Sequence, residues 1–90
     1  NWLVPNAQKN MMEPIHLVLS PGAKTEEDVP HEGEEFGFVL EGEINLFLGK
    51  KKYLVKKGES FYFEADKTHY LENKTDKKAV LIWVSTPPTF

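Results

Sequence analysis

Three imidazoles are available for chemistry in this chain: His16, His31 and His69. A carboxylate, Glu35, follows His31 by four positions. In an extended segment those two side chains share one face, unless the bend signalled by Gly33 breaks the alternation. His69 shares its face with Leu71 and Asn73 by the same rule. A closed β-structure can bring two such distant stretches around one lumen. Two imidazoles and a carboxylate make a donor set suited to a divalent cation, with positions left for water or a substrate. The alternative is a metal-free lumen in which the three groups hydrogen-bond one another. The cofactor is therefore one divalent metal ion or none. His16 has no partner in the sequence and reads as a surface or satisfied core histidine.

The elements that must position these groups are short strands. Residues 1 to 12 have no clear period and read as a linker or N-terminal arm, leaving 13 to 90 for one barrel domain. Ile15 to Ser20 is a first strand, closed by Pro21-Gly22, and Lys24 to Val29 is a polar edge segment. Phe36 to Leu40 is the next strand, turned by Glu41-Gly42-Glu43. Ile44 to Leu48 alternates and passes through Gly49-Lys50 into a strand holding Tyr53 and Val55. Phe61 to Phe63, Tyr70 to Asn73 and Val80 to Val84 complete the set. Short strands with turn residues this regular predict an all-β barrel or sandwich with little helix. If Glu35 faces inward, Gly37 and Val39 do too, and Leu46, Tyr53, Phe61, Phe63 and Leu71 line or floor the lumen. Gly37 would leave room there for a ligand. Phe36, Phe38 and Leu40 then face outward and need cover. Either the Trp2-Leu3-Val4 segment or a second copy of the domain could supply it, and a homodimer is expected.

Ninety residues suit one domain with one core. The formal net charge is -3, and all 11 cationic side chains are lysines, with no arginine. An acidic domain without the guanidinium fork is poorly equipped to grip phosphates or read bases, so direct nucleic-acid contact is not expected. The lysine clusters at 50–52, 56–57 and 77–78 fall at turns and strand ends, where they protect edges. With no cysteine, disulfides and thiolate zinc sites are excluded, which is compatible with a cytoplasmic location. No apolar run reaches the ~18–20 residues of a membrane span, and no membrane partner is expected.

Two spaced motifs carry a resemblance. Glu35 is followed by "FGFVLE" and Gly42, with His31 four positions before it and three residues between them. Gly58 leads through "ESFYF", "EAD" and "KT" to His69, then "YLE" and Asn73. This resembles the two signatures of the cupin superfamily, a small double-stranded β-helix or jelly-roll-like barrel. The resemblance covers about residues 20 to 85. It implies His31, Glu35 and His69 as metal ligands. Val29 stands at the position of the family's first histidine, and Glu64 and Asp66 replace a Pro and a Gly of the second signature.

The strings "HEGEEFGFVLEGE", "GESFYFEADKTHYLEN" and "WVSTPPTF" further resemble the C-terminal domain of bacterial regulators that join a helix-turn-helix to a cupin. That resemblance implies a domain that senses a small-molecule effector in the barrel and acts on DNA through a helix-turn-helix absent from this chain. Asn1 in place of Met, and the "TPPTF" ending, fit such a C-terminal piece. The competing reading is a stand-alone metal-dependent enzyme, oxygenase- or isomerase-like, using His31, Glu35 and His69. No second acid–base group is clearly committed to a substrate: Tyr62 has outward parity, and Glu64 is the other candidate. A plain dimerisation module is a third class.

Overall fold

The computed structural model describes residues 11–87. The Trp2-Leu3-Val4 segment, most of the 1–12 arm and the last three residues of "TPPTF" lie outside them. Seven strands, and no helix, form among the described residues: β1 (Glu13–Leu19), β2 (Glu34–Glu41), β3 (Glu43–Leu48), β4 (Lys51–Lys56), β5 (Ser60–Glu64), β6 (His69–Glu72) and β7 (Ala79–Thr86). They make two antiparallel sheets, β1-β7-β2-β5 and β4-β3-β6. The polar edge segment expected at Lys24 to Val29 runs along β6, the edge of its sheet, without forming a regular strand. Only Lys24 and Asp28 pair there, each by an isolated bridge to β6, at Glu72 and His69.

The alternation that predicts strands also sorts their faces. In β7, Ala79, Leu81, Trp83 and Ser85 are buried between the sheets, while Val80, Ile82 and Val84 lie on the outer face. Leu19, Val39, Ile44, Leu46, Val55, Phe61, Phe63 and Leu71 meet them from the other strands as one core. Burying a side chain of this size contributes about 1.5–3 kcal/mol, so this layer supplies most of the drive to fold. Phe36, Phe38 and Leu40 are on the outside, each partly exposed.

The chain passes from one sheet to the other at Gly42, where φ is +75°. A Cβ there would stand 2.6 Å from the Lys78 carbonyl oxygen, so the crossing requires glycine. Gly49-Lys50 makes the two-residue link from β3 to β4 that the sequence predicts. Asn73 stands just past β6 and is fully buried. Its amide donates to the carbonyls of Leu19 (3.0 Å) and Lys77 (2.8 Å), while its oxygen accepts from Thr75 N (2.9 Å) and Thr75 Oγ1 (2.7 Å). It thereby ties the end of β1 to the turn before β7.

Candidate metal centre

Glu35 lies on the inner face of β2, paired within its sheet with Phe63 of β5 and Ser85 of β7. The loop before it is fixed to the end of β5 by backbone bonds, from His31 N to Ala65 O (2.8 Å) and from Ala65 N to Gly33 O (3.0 Å). That zipper carries His31 across the Gly33 bend onto the side of Glu35. His69 opens β6 on the opposite sheet and is fully buried. The three residues converge: Glu35 Oε2 lies 3.2 Å from His31 Nε2 and 2.8 Å from His69 Nε2. Their ligand atoms all fall within 4.8 Å of one another. The two imidazole rings meet edge-on with centroids 5.4 Å apart.

Backbone carbonyls orient both imidazoles. His31 Nδ1 donates to Glu32 O at 2.9 Å, and His69 Nδ1 donates to Lys67 O at 2.8 Å. A carbonyl oxygen can only accept, so each ring carries a proton on Nδ1. In the neutral rings both Nε2 atoms therefore present lone pairs toward a carboxylate oxygen, itself an acceptor. Three acceptors facing one another repel unless a cation, either a proton or a metal ion, sits among them. His69 Nε2 shows this most clearly. It is buried without a hydrogen-bond partner among the described residues, although Glu35 Oε2 lies only 2.8 Å away. A buried polar atom of this kind is costly unless something binds it, and the donor set fits a divalent cation.

Burial by itself disfavours the His69 imidazolium, but the Glu35 carboxylate and the Lys67 carbonyl outweigh it, with Asp28 adding to them. The net effect holds the His69 pKa above the ordinary imidazole value.

A group not expected from sequence completes the inner wall. Trp83 Nε1 donates to Glu35 Oε1 at 2.6 Å, leaving Oε2 for the histidines. Its inner-face parity in β7 was readable, and a buried indole N–H usually finds an acceptor. The second unexpected group is Asp28, whose Oδ2 lies 3.5 Å from His69 Nε2. Val29, at the position of the missing histidine, points away and is 73% exposed. Tyr62 is exposed on the outer face, and a hydrogen bond to Glu34 pushes its phenol pKa up. Glu64 is exposed too, so neither faces the centre.

The expected lumen residues separate into two groups. Val39, Leu46, Phe61, Phe63 and Leu71 are buried and packed on one another. The room expected beside Gly37 is absent, because the ring of Phe61 fills it: a Cβ on Gly37 would stand 2.2 Å from a ring atom. Tyr53 pairs with Leu46 across β3 and β4 but is 45% exposed, because β4 is a sheet edge. Between the edges of β4 and β5 lies an open cleft of about 730 Å³, lined by Leu46, Tyr53, Phe61 and Tyr62 among others. From there Phe61 stacks on Phe63 (centroids 6.0 Å), and Phe63 tilts against His69 (5.0 Å). A smaller opening, about 410 Å³, exposes His31 beside Gly33 and Asp66.

Residues 15–85 match the family model described as a cupin domain. Across 89 residues the chain is 35% identical to the HTH-type transcriptional regulator PuuR of Escherichia coli K12, covering 98% of this chain and 48% of the regulator. It thus spans about half the length of the curated relatives it matches first. Its fold superposes with a TM-score of 0.85 on the cupin domain of an XRE family transcriptional regulator from Enterobacter cloacae (22% identity, 99% of this chain, 95% of that one). It also resembles an HTH_3 family transcriptional regulator from Vibrio cholerae, with TM-score 0.83 and 25% identity over 99% of this chain and 50% of that one.

Proposed function

The chain belongs to the cupin domain family, and from that premise we propose that it is the effector-sensing domain of a transcription regulator whose helix-turn-helix lies outside this sequence. The observation that carries this reading is one of coverage. Nearly the whole chain matches a regulator of DNA-binding type, yet it accounts for only 48% of that protein. The domain's own charge supports a division of labour, since it is acidic, lacks arginine and has all its described lysines exposed. Its route to DNA is the missing domain, and its location is the cytoplasm, where that task is performed.

The effector occupies the cleft between β4 and β5, whose volume of about 730 Å³ lies in the usual small-molecule range. Glu59 on its lining and the absence of arginine favour a neutral or cationic compound. His31, Glu35 and His69 hold one divalent cation, which supplies the positive charge that three converging acceptors require. Phe61 and Phe63 form the wall between cleft and centre, so a ligand seated on Phe61 bears on His69 through one ring. The domain works as a homodimer, with a second copy covering Phe36, Phe38 and Leu40.

The test begins with a thermal-shift screen of this chain against neutral and cationic metabolites, followed by DNA-affinity measurements on the full-length gene product with each hit. A compound that stabilises the domain and changes DNA affinity supports the reading. A start codon directly before Asn1 would overturn it, and turnover by the metal-loaded chain would replace it with the enzyme reading. Elemental analysis that finds no metal after purification with added nickel, iron, manganese or zinc removes the metal from it.

A further inference from the structure

We infer that Asp28 is a fourth ligand of this centre, taking from the neighbouring position the place that Val29 leaves empty. The inference rests on the metal-binding reading above and adds a residue to it. Asp28 and His69 form an antiparallel bridge, with Asp28 N donating to His69 O at 2.8 Å and His69 N to Asp28 O at 3.0 Å. Residues paired directly across such a bridge project to the same side. The Asp28 side chain therefore stands beside the His69 ring, and Val29, one residue on, is turned out to solvent.

The approach is aimed at the atom that most needs a partner. Asp28 Oδ2 lies 3.5 Å from His69 Nε2, the buried nitrogen without a hydrogen bond. Two ligands with bonds of ~2.0–2.2 Å to a common ion stand ~2.8–3.6 Å apart at angles between a right angle and the tetrahedral one. The closest pairs, Glu35–His69 at 2.8 Å, Glu35–His31 at 3.2 Å and Asp28–His69 at 3.5 Å, fall in that range, and Asp28 joins from just outside the three residues whose ligand atoms already lie within 4.8 Å of one another. Two carboxylates, Glu35 and Asp28, also balance the charge of a doubly charged ion. With two nitrogen and two oxygen donors, the ion this set selects is a first-row divalent transition metal rather than calcium or magnesium. Asp28 is about half exposed, which places it at the mouth, where it can meet the ion first.

The test titrates nickel and manganese separately into the metal-free chain by calorimetry, and records the visible absorption of the cobalt-loaded form. Asp28→Asn should weaken binding about ten-fold or more and change the cobalt bands, as loss of a direct ligand costs at least what loss of a supporting residue does. Glu27→Gln makes the same charge change on an exposed neighbour and should stay within about two-fold of the parent. Asp28→Glu keeps the carboxylate one methylene further out and should fall between. Equal affinity of Asp28→Asn and parent, or an equal loss in Glu27→Gln, would overturn the inference while leaving the three-residue site intact. A parent chain that binds no metal overturns both. The bridge to His69 uses only backbone atoms, so the metal-free Asp28→Asn chain should melt close to the parent, and this melt verifies that the comparison is between folded proteins.

Discussion

Trp83 and Glu35 share a hydrogen bond of 2.6 Å that crosses from β7 to β2 inside the barrel, and it decides which carboxylate oxygen faces the histidines. Trp83→Phe keeps most of the ring and removes the donor. The buried carboxylate then loses a bond to a charged acceptor, a deletion that costs about 1.5–3 kcal/mol. Urea unfolding of the metal-free variant should show that loss with an unchanged m-value. Its affinity for a divalent ion should fall as well, because Glu35 is free to turn.

The His69 imidazole should give the metal-free and metal-loaded proteins opposite responses to pH. Burial opposes its charge, but Glu35, Lys67 and Asp28 together raise its pKa above the ordinary value near 6.5. A group whose folded pKa is raised binds protons more tightly in the folded state. Its contribution to stability is therefore complete below the unfolded value and is lost as pH rises through the folded one. Metal binding needs the unprotonated ring and so strengthens over the same interval. Denaturant midpoints of the metal-free chain, measured from mildly acidic to mildly basic pH, should carry this declining contribution, and His69→Gln should remove it. Metal affinity measured in parallel should climb. A metal affinity independent of pH across that range would contradict the assignment of His69 as a ligand.

Strand order in sequence and inward or outward parity were legible because a half-buried strand must alternate. Glu35 in and Phe36 out is the same statement read twice, and the structure has both. The convergence of His31, Glu35 and His69 was legible from spacing and from the resemblance those spacings carry. Asp28 was not, because the bridge that sets it beside His69 is a long-range pairing with no local signal in the sequence. Parity alone places Tyr53 on the enclosed face. Parity is right, but exposure depends on β4 being an edge, which is a property of the sheet rather than of the strand. A glycine at position 37 signals a vacancy in the sequence, but its neighbour across the ladder, Phe61, fills it.

That last contact is testable. Gly37→Ala would press a methyl into the Phe61 ring, and overpacking of this kind costs about 1–3 kcal/mol. Phe61→Leu removes the obstructing ring and leaves a smaller cavity of its own. The double variant should recover part of the sum of the two losses, with a coupling energy of about 0.5 kcal/mol or more by denaturant unfolding. Strict additivity would mean that the ring moves aside freely, and the wall between cleft and centre would then be soft.

The outer face of β2 makes the final prediction. Phe36, Phe38 and Leu40 are 42%, 37% and 39% exposed, and Val84 and Ile82 of β7 pair directly with Phe36 and Phe38. On the other side Phe36 pairs with Tyr62 of β5, which is 58% exposed. The result is a continuous apolar surface across three strands, of the kind that soluble proteins cover. Twofold pairing of two such faces would bury Phe38 near the centre of the contact, where a charge is worst tolerated. Phe38→Glu should therefore convert a dimer to a monomer at micromolar concentration in sedimentation equilibrium. Lys51→Glu, an exposed change on the other sheet, should leave the dimer intact. The Phe38→Glu domain should still fold, because the side chain it replaces contributes to the outer surface and not to the core between the sheets. A parent chain that sediments as a monomer would remove the second copy as the cover.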